Sequence, residues 1–75
     1  MDFRDRIVID PTIRFGKPCV RGTRISVGDI LGFLAQGMSE ADITAEYAPL
    51  SAQDIRAALA FAAARESRTV TLPAA

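Results

Sequence analysis

The spacing of apolar positions changes near residue 26. Ahead of that point, Ile7-Val8-Ile9 is a β-branched run closed by the turn pair Asp10-Pro11, which predicts a strand. Ile13-Arg14-Phe15 alternates apolar and polar positions and predicts a second one. The stretch from Gly16 to Val27 supplies one or two more, with Arg21-Gly22-Thr23 as a tight turn. Beyond Ser26 the period becomes helical. Val27, Ile30, Leu31 and Leu34 fall at i, i+3, i+4 and i+7, and Ile55, Ala58, Leu59 and Ala62 repeat that spacing. Between them Ile43 and Tyr47 share one helical face.

Punctuation residues set the boundaries. Ser26 is a good N-cap, and Gly37 stands where a C-cap glycine ends a helix. Ser39-Glu40-Ala41-Asp42 and Ser51-Ala52-Gln53-Asp54 both resemble capping boxes, with Asp replacing the preferred Glu or Gln. Pro49 separates them. The expectation is strands within 6–25 and helices at about 27–36, 40–47 and 52–66. These make one domain over 1–66, followed by a tail over 67–75. The rhythm of helix, short helix, tight connection and longer helix matches a helix-turn-helix arrangement. A generic three-helix core would show the same rhythm.

Size bears on stability. A chain of 75 residues buries only about 60% of the surface its unfolded form exposes. No staple adds to that core. The lone Cys19 has no disulfide partner, and without histidine no zinc site is expected. Self-association, as a homodimer, is the expected extra source of stability. No apolar run approaches a membrane span, and the first residues lack a signal-peptide core. The expected location is the cytoplasm.

The balance of nine bases and nine acids hides an asymmetry. Residues 1–28 carry six bases against three acids, and residues 29–75 the reverse. Contacts with a polyanion should therefore lean on the basic stretch, where Lys17, Arg21 and Arg24 are phosphate-contact candidates. Arg14 belongs with them; the alternative is that one or more of these arginines pair internally with Asp10 or Asp29. At the start of the third helix Gln53 and Arg56 have the right chemistry for adenine and guanine edges. The acidic neighbours Asp54, Glu40, Asp42 and Glu46 argue against phosphate there. A second apolar stripe, Ala57, Phe61 and Ala64, calls for a cover from the same chain or from a partner.

Enzymatic chemistry has little support. The most common acid–base side chain at neutral pH is missing, and the candidate serines stand at helix starts, where capping explains them. Cys19, between Pro18 and Val20, reads as a small buried hydrophobe. No catalytic residue, cofactor or metal is expected.

Asp10-Pro11, Gly16-Lys17-Pro18 and Val20-Arg21-Gly22-Thr23-Arg24-Ile25 carry a family resemblance. Ile30, Leu34, Gly37, Ser39, Tyr47, Pro49-Leu50 and Asp54-Ile55-Ala58-Leu59 continue it. Over about residues 6–64 the chain resembles the domain-of-unknown-function 433 family. Cys19 stands where an aliphatic residue is common, and Ser26 where proline is frequent. The resemblance implies a homeodomain-like or winged helix-turn-helix fold with N-terminal strands. It also implies an antitoxin-like role: neutralising a cognate PIN-like ribonuclease toxin and repressing its own operator DNA as a dimer. The family offers no agreed functional residues. Physical reasoning alone therefore nominates Lys17, Arg21, Arg24, Gln53 and Arg56 for DNA, and Arg14, Arg21, Arg24 and Phe61 for a partner. The alternative is an interaction module that binds a protein and never touches DNA.

Overall fold

Three serine–aspartate pairs start the three helices of the computed structural model, which describes residues 2–69. Ser26 opens α1 (Val27–Ala35), Ser39 opens α2 (Glu40–Glu46) and Ser51 opens α3 (Ala52–Thr69). In each pair the serine Oγ accepts the aspartate backbone N–H, and the carboxylate accepts the serine N–H in return. The shorter Asp side chain thus closes a box usually built with Glu, and it satisfies two N–H groups that the first helical turn leaves orphaned. At the far end of α1, Gly37 takes φ +99°. Its N–H reaches the Leu34 carbonyl and that of Met38 the Phe33 carbonyl, the paired bonds of a Schellman closure.

The N-terminal part is a minimal antiparallel hairpin. β1 (Ile7–Val8) pairs with β2 (Cys19–Val20), with Ile7 opposite Val20 and Val8 opposite Cys19. The chain then reverses through Val20–Thr23, where Gly22 supplies the positive φ of +80°. Ile25 and Ser26 return alongside β2, through Val20 N–H to Ile25 O and a bridge between Cys19 and Ser26. The observed class is the expected one, mainly α with a short N-terminal hairpin. Among the described residues, no helix is long and apolar enough to cross a membrane.

α3 is the centre of the packing, touching α1, α2, β1 and the N-terminal turn Phe3–Asp5. Ile30, Ile43 and Ile55 are fully buried and join Ile7, Val20, Val27, Leu50, Ala57 and Ala58 in one core. Each such isoleucine contributes about 1.5–3 kcal/mol relative to exposure. Phe33 stacks on Tyr47 with centroids 4.6 Å apart, joining α1 to the end of α2.

Three expectations need correction. Ile13-Arg14-Phe15 is not a strand: Arg14–Gly16 is a tight turn in which Arg14, Phe15 and Gly16 all have positive φ. Leu59 does not face the core but is 43% exposed, whereas Ala57 is fully buried. With α1, α2 and the hairpin all packed on α3, the alanines occupy the closest approaches and the bulkier Leu59 turns outward. The third helix also continues past residue 66 to Thr69, so the first residues assigned to the tail are helical. The remainder of that tail, 70–75, lies outside the described residues.

Candidate interaction surface

The basic segment is built on the hairpin and its two turns. Arg14, held in the left-handed region, points back into the molecule. Its Nη1 donates to the Arg24 carbonyl at 2.8 Å and to Asp29 Oδ2 at 3.0 Å. The charge of Arg14 is thereby offset. Asp29 is held below the usual carboxylate range, chiefly by the Ser26 backbone N–H, with burial pushing the other way and Arg14 assisting.

Arg21 stands at the second position of the β-turn. Its Nε donates to the Asp5 carbonyl at 3.0 Å, and Nη2 reaches the Arg4 carbonyl at 3.5 Å. These neutral acceptors fix the guanidinium without cancelling its charge. Among the described residues, no hydrogen bond or ion pair engages the exposed side chains of Lys17 and Arg24. Lys17, ahead of β2, and Arg21 and Arg24, after it, therefore remain uncompensated among the described residues, while the charge of Arg14 is taken up by Asp29.

The second cluster is different. At the start of α3, the exposed Gln53 accepts from Arg6 Nη2 through Oε1, and Arg6 Nη1 donates to Asp54 Oδ1 at 3.1 Å. Arg56 Nε lies 3.7 Å from Glu40 Oε1 on α2. Both candidate base-reading side chains are thus engaged within the molecule, beside acidic groups. Arg6 escaped sequence reasoning because its partners lie nearly fifty positions away, beyond any local pattern.

Phe61 lies apart from both clusters. Its ring meets Phe3 edge-on, with centroids 5.3 Å apart, and the Arg65 guanidinium carbon sits 5.6 Å from its centroid. The N-terminal turn thus covers part of the second apolar stripe from within the chain. Ala57 is buried in the core and Ala64 lies beside Phe3 and Arg4, while Phe61 also lines a groove of about 500 Å³ between α1 and α3, with Pro18, Val27, Leu31 and Ala62. Lys17, Asp29, Arg65 and Glu66 stand along it. Among the described residues, no group of three His, Cys, Asp or Glu side chains could hold a metal ion.

Phe15 was missed altogether. It is 99% exposed, at φ 58° and ψ 34°, and nothing in its neighbours Arg14 and Gly16 signals that conformation.

Residues 7–62 match the family model described as "Protein of unknown function (DUF433)". Among solved structures, the chain is similar to the crystal structure of a DUF433 member protein from Anabaena variabilis ATCC 29413. The TM-score is 0.79 at 28% sequence identity, over 87% of this chain and 64% of that one. The chain therefore spans less than two thirds of that protein's length. No curated protein matches it.

Proposed function

Since the chain belongs to the DUF433 family, whose description assigns no activity, we propose from its surface that it is an antitoxin-like interaction module. Its hairpin cations bind the acidic active site of a cognate PIN-like ribonuclease, and a dimer of it binds operator DNA through the same side chains. The observation that carries this reading is that Lys17, Arg21 and Arg24, flanking β2 on either side, keep their charges with no acidic partner among the described residues. A guanidinium set among metal-binding carboxylates pairs with them bidentately and competes with the cation they would hold.

The test is whether this chain inhibits a PIN-like ribonuclease encoded by an adjacent reading frame. Arg21→Ala/Arg24→Ala should abolish inhibition while the helical circular dichroism stays unchanged. Full inhibition by that variant would refute the cleft-blocking role.

One observation favours the narrower reading, in which only protein is bound. Gln53 and Arg56, the side chains suited to base edges, are occupied by Arg6 and Glu40. Binding to upstream DNA, titrated against salt, separates the two readings. A steep fall in affinity supports phosphate contacts, and absence of binding leaves the protein-only module.

A further inference from the structure

Phe15 is the most exposed large apolar side chain described here, and it stands among three successive left-handed residues, Arg14, Phe15 and Gly16. That backbone is strained for any residue but glycine or one of the few that tolerate it. The turn is nonetheless held firmly. Gly16 N–H bonds to the Ile13 carbonyl, Lys17 N–H to that of Arg14, and the Arg14 guanidinium to the Arg24 carbonyl and Asp29. A strained, fixed turn thus presents an aromatic ring to water, where the ring gains nothing from its own chain.

Two cations flank this turn. Lys17 follows Phe15 by two positions, which limits their Cα separation to about 7.6 Å. Arg24 is fastened to the turn from beyond β2, because Arg14 Nη1 donates to its carbonyl at 2.8 Å. Both side chains are exposed and have no acidic partner among the described residues. The acids bonded into this region oppose them only in part. The charge of Asp29 is offset by Arg14, and Asp10 accepts from the Thr12 N–H and hydroxyl. Two cations therefore face one uncompensated carboxylate. Along the turn, the neighbour of Phe15 on the Lys17 side is the bare backbone of Gly16. That is not the apolar rim which shields a protein anchor from water.

We propose that Phe15 is a stacking platform for an unpaired nucleobase, with Lys17 and Arg24 taking flanking phosphates of a single strand of nucleic acid. Every base offers a π-face, so a fixed, exposed ring beside cations binds single strands with little sequence preference. In a duplex the bases stack on one another and leave only their edges in the grooves, closed to the face of a ring. The preorganised turn also lowers the entropy lost on binding. The inference shares Lys17 and Arg24 with the function proposed above, and needs neither the nuclease, nor the dimer, nor an operator duplex.

The chain has no tryptophan, so Phe15→Trp places a single indole fluorophore on the platform. Oligodeoxyadenylate and oligoadenylate strands should quench it, whereas an abasic strand of the same length and charge should not. In fluorescence anisotropy with labelled strands, Phe15→Ala should bind about tenfold more weakly or worse, with the helical circular dichroism retained, and Phe15→Trp should keep the affinity. Lys17→Ala/Arg24→Ala should flatten the salt dependence by about 0.7 in slope for each charge removed. Quenching by the DNA strand, the RNA strand or both supports the proposal and identifies the sugar accepted. No binding of either strand, equal affinity for the abasic strand, or unchanged affinity in Phe15→Ala overturns it. So does quenching by a duplex as strong as by its single strand, or an unchanged salt slope in the double variant. Nuclease inhibition and operator binding are separate readouts, so their loss would leave this result standing.

Discussion

Arg6 Nη1 lies 3.1 Å from Asp54 Oδ1, while the other carboxylate oxygen of Asp54 accepts the Ser51 backbone N–H at 2.9 Å. One buried side chain thus closes the start of α3 and ties the strand region to it. Asp54→Ala should cost about 2 kcal/mol: about 1 from the cap, and the rest from an ion pair discounted for the exposure of Arg6. At this chain length that is a fall in Tm of roughly 8–15 °C. The counterpart on α2, Asp42→Ala, should lower Tm less, because that box is exposed and holds no second element. A thermal melt of both variants checks the order.

Acid should weaken the fold through the same boxes. Asp29 and Asp42 are held below the usual carboxylate range, chiefly by the backbone N–H groups of Ser26 and Ser39. Asp10 is held down likewise, chiefly by the Thr12 N–H. Because these values are depressed on folding, their contribution is complete above the ordinary aspartate value near 3.9 and is lost as pH falls below it. Tm should therefore be flat above about pH 5 and drop below about pH 4. Asp29→Asn/Asp42→Asn should make that drop shallower. A profile of equal steepness in the double variant would show that the boxes do not set the acid limit.

The strain at Phe15 has a measurable counterpart. Phe15→Gly places at φ 58° the residue that tolerates it best, and the lost ring is fully exposed. At concentrations low enough to keep the chain monomeric, Tm should rise, by about 4–8 °C if roughly 1 kcal/mol of strain is relieved. Phe15→Ala keeps the strained backbone and should not show the gain.

If operator DNA is bound through the hairpin, each of Lys17→Ala, Arg21→Ala and Arg24→Ala should flatten the salt dependence by about one unit of slope. Gln53→Ala should instead relax sequence preference with the slope unchanged, if Arg6 releases Gln53 to a base edge. Fluorescence anisotropy at several salt concentrations distinguishes the two patterns.

What the sequence made legible was the local chemistry. Ser39 and Asp42, or Ser51 and Asp54, are three positions apart, so their mutual capping follows from spacing alone. Gly37 announced its helix end for the same reason. The tertiary choices were not legible. That Ala57 rather than Leu59 would fill the core depends on how many elements crowd α3, which no helical stripe records. Asp29 was foreseen as a possible partner for an arginine of the basic stretch, but that it takes Arg14 depends on the left-handed turn at Arg14–Gly16. Among the candidate site residues, the surviving cations were foreseen as types, but which ones stay uncompensated depended on contacts across the fold.

Cys19 is the one thiol of this chain and is 1% exposed, sealed between β1 and the returning segment at Ser26. A maleimide reagent can reach its sulfur only when that seal opens. Its labelling half-life is therefore a built-in clock: the ratio of its rate to that of a free thiol gives the fraction of molecules open at any instant. The same seal keeps oxidants away, so handling in air should leave the native protein reduced while its unfolded fraction cross-links.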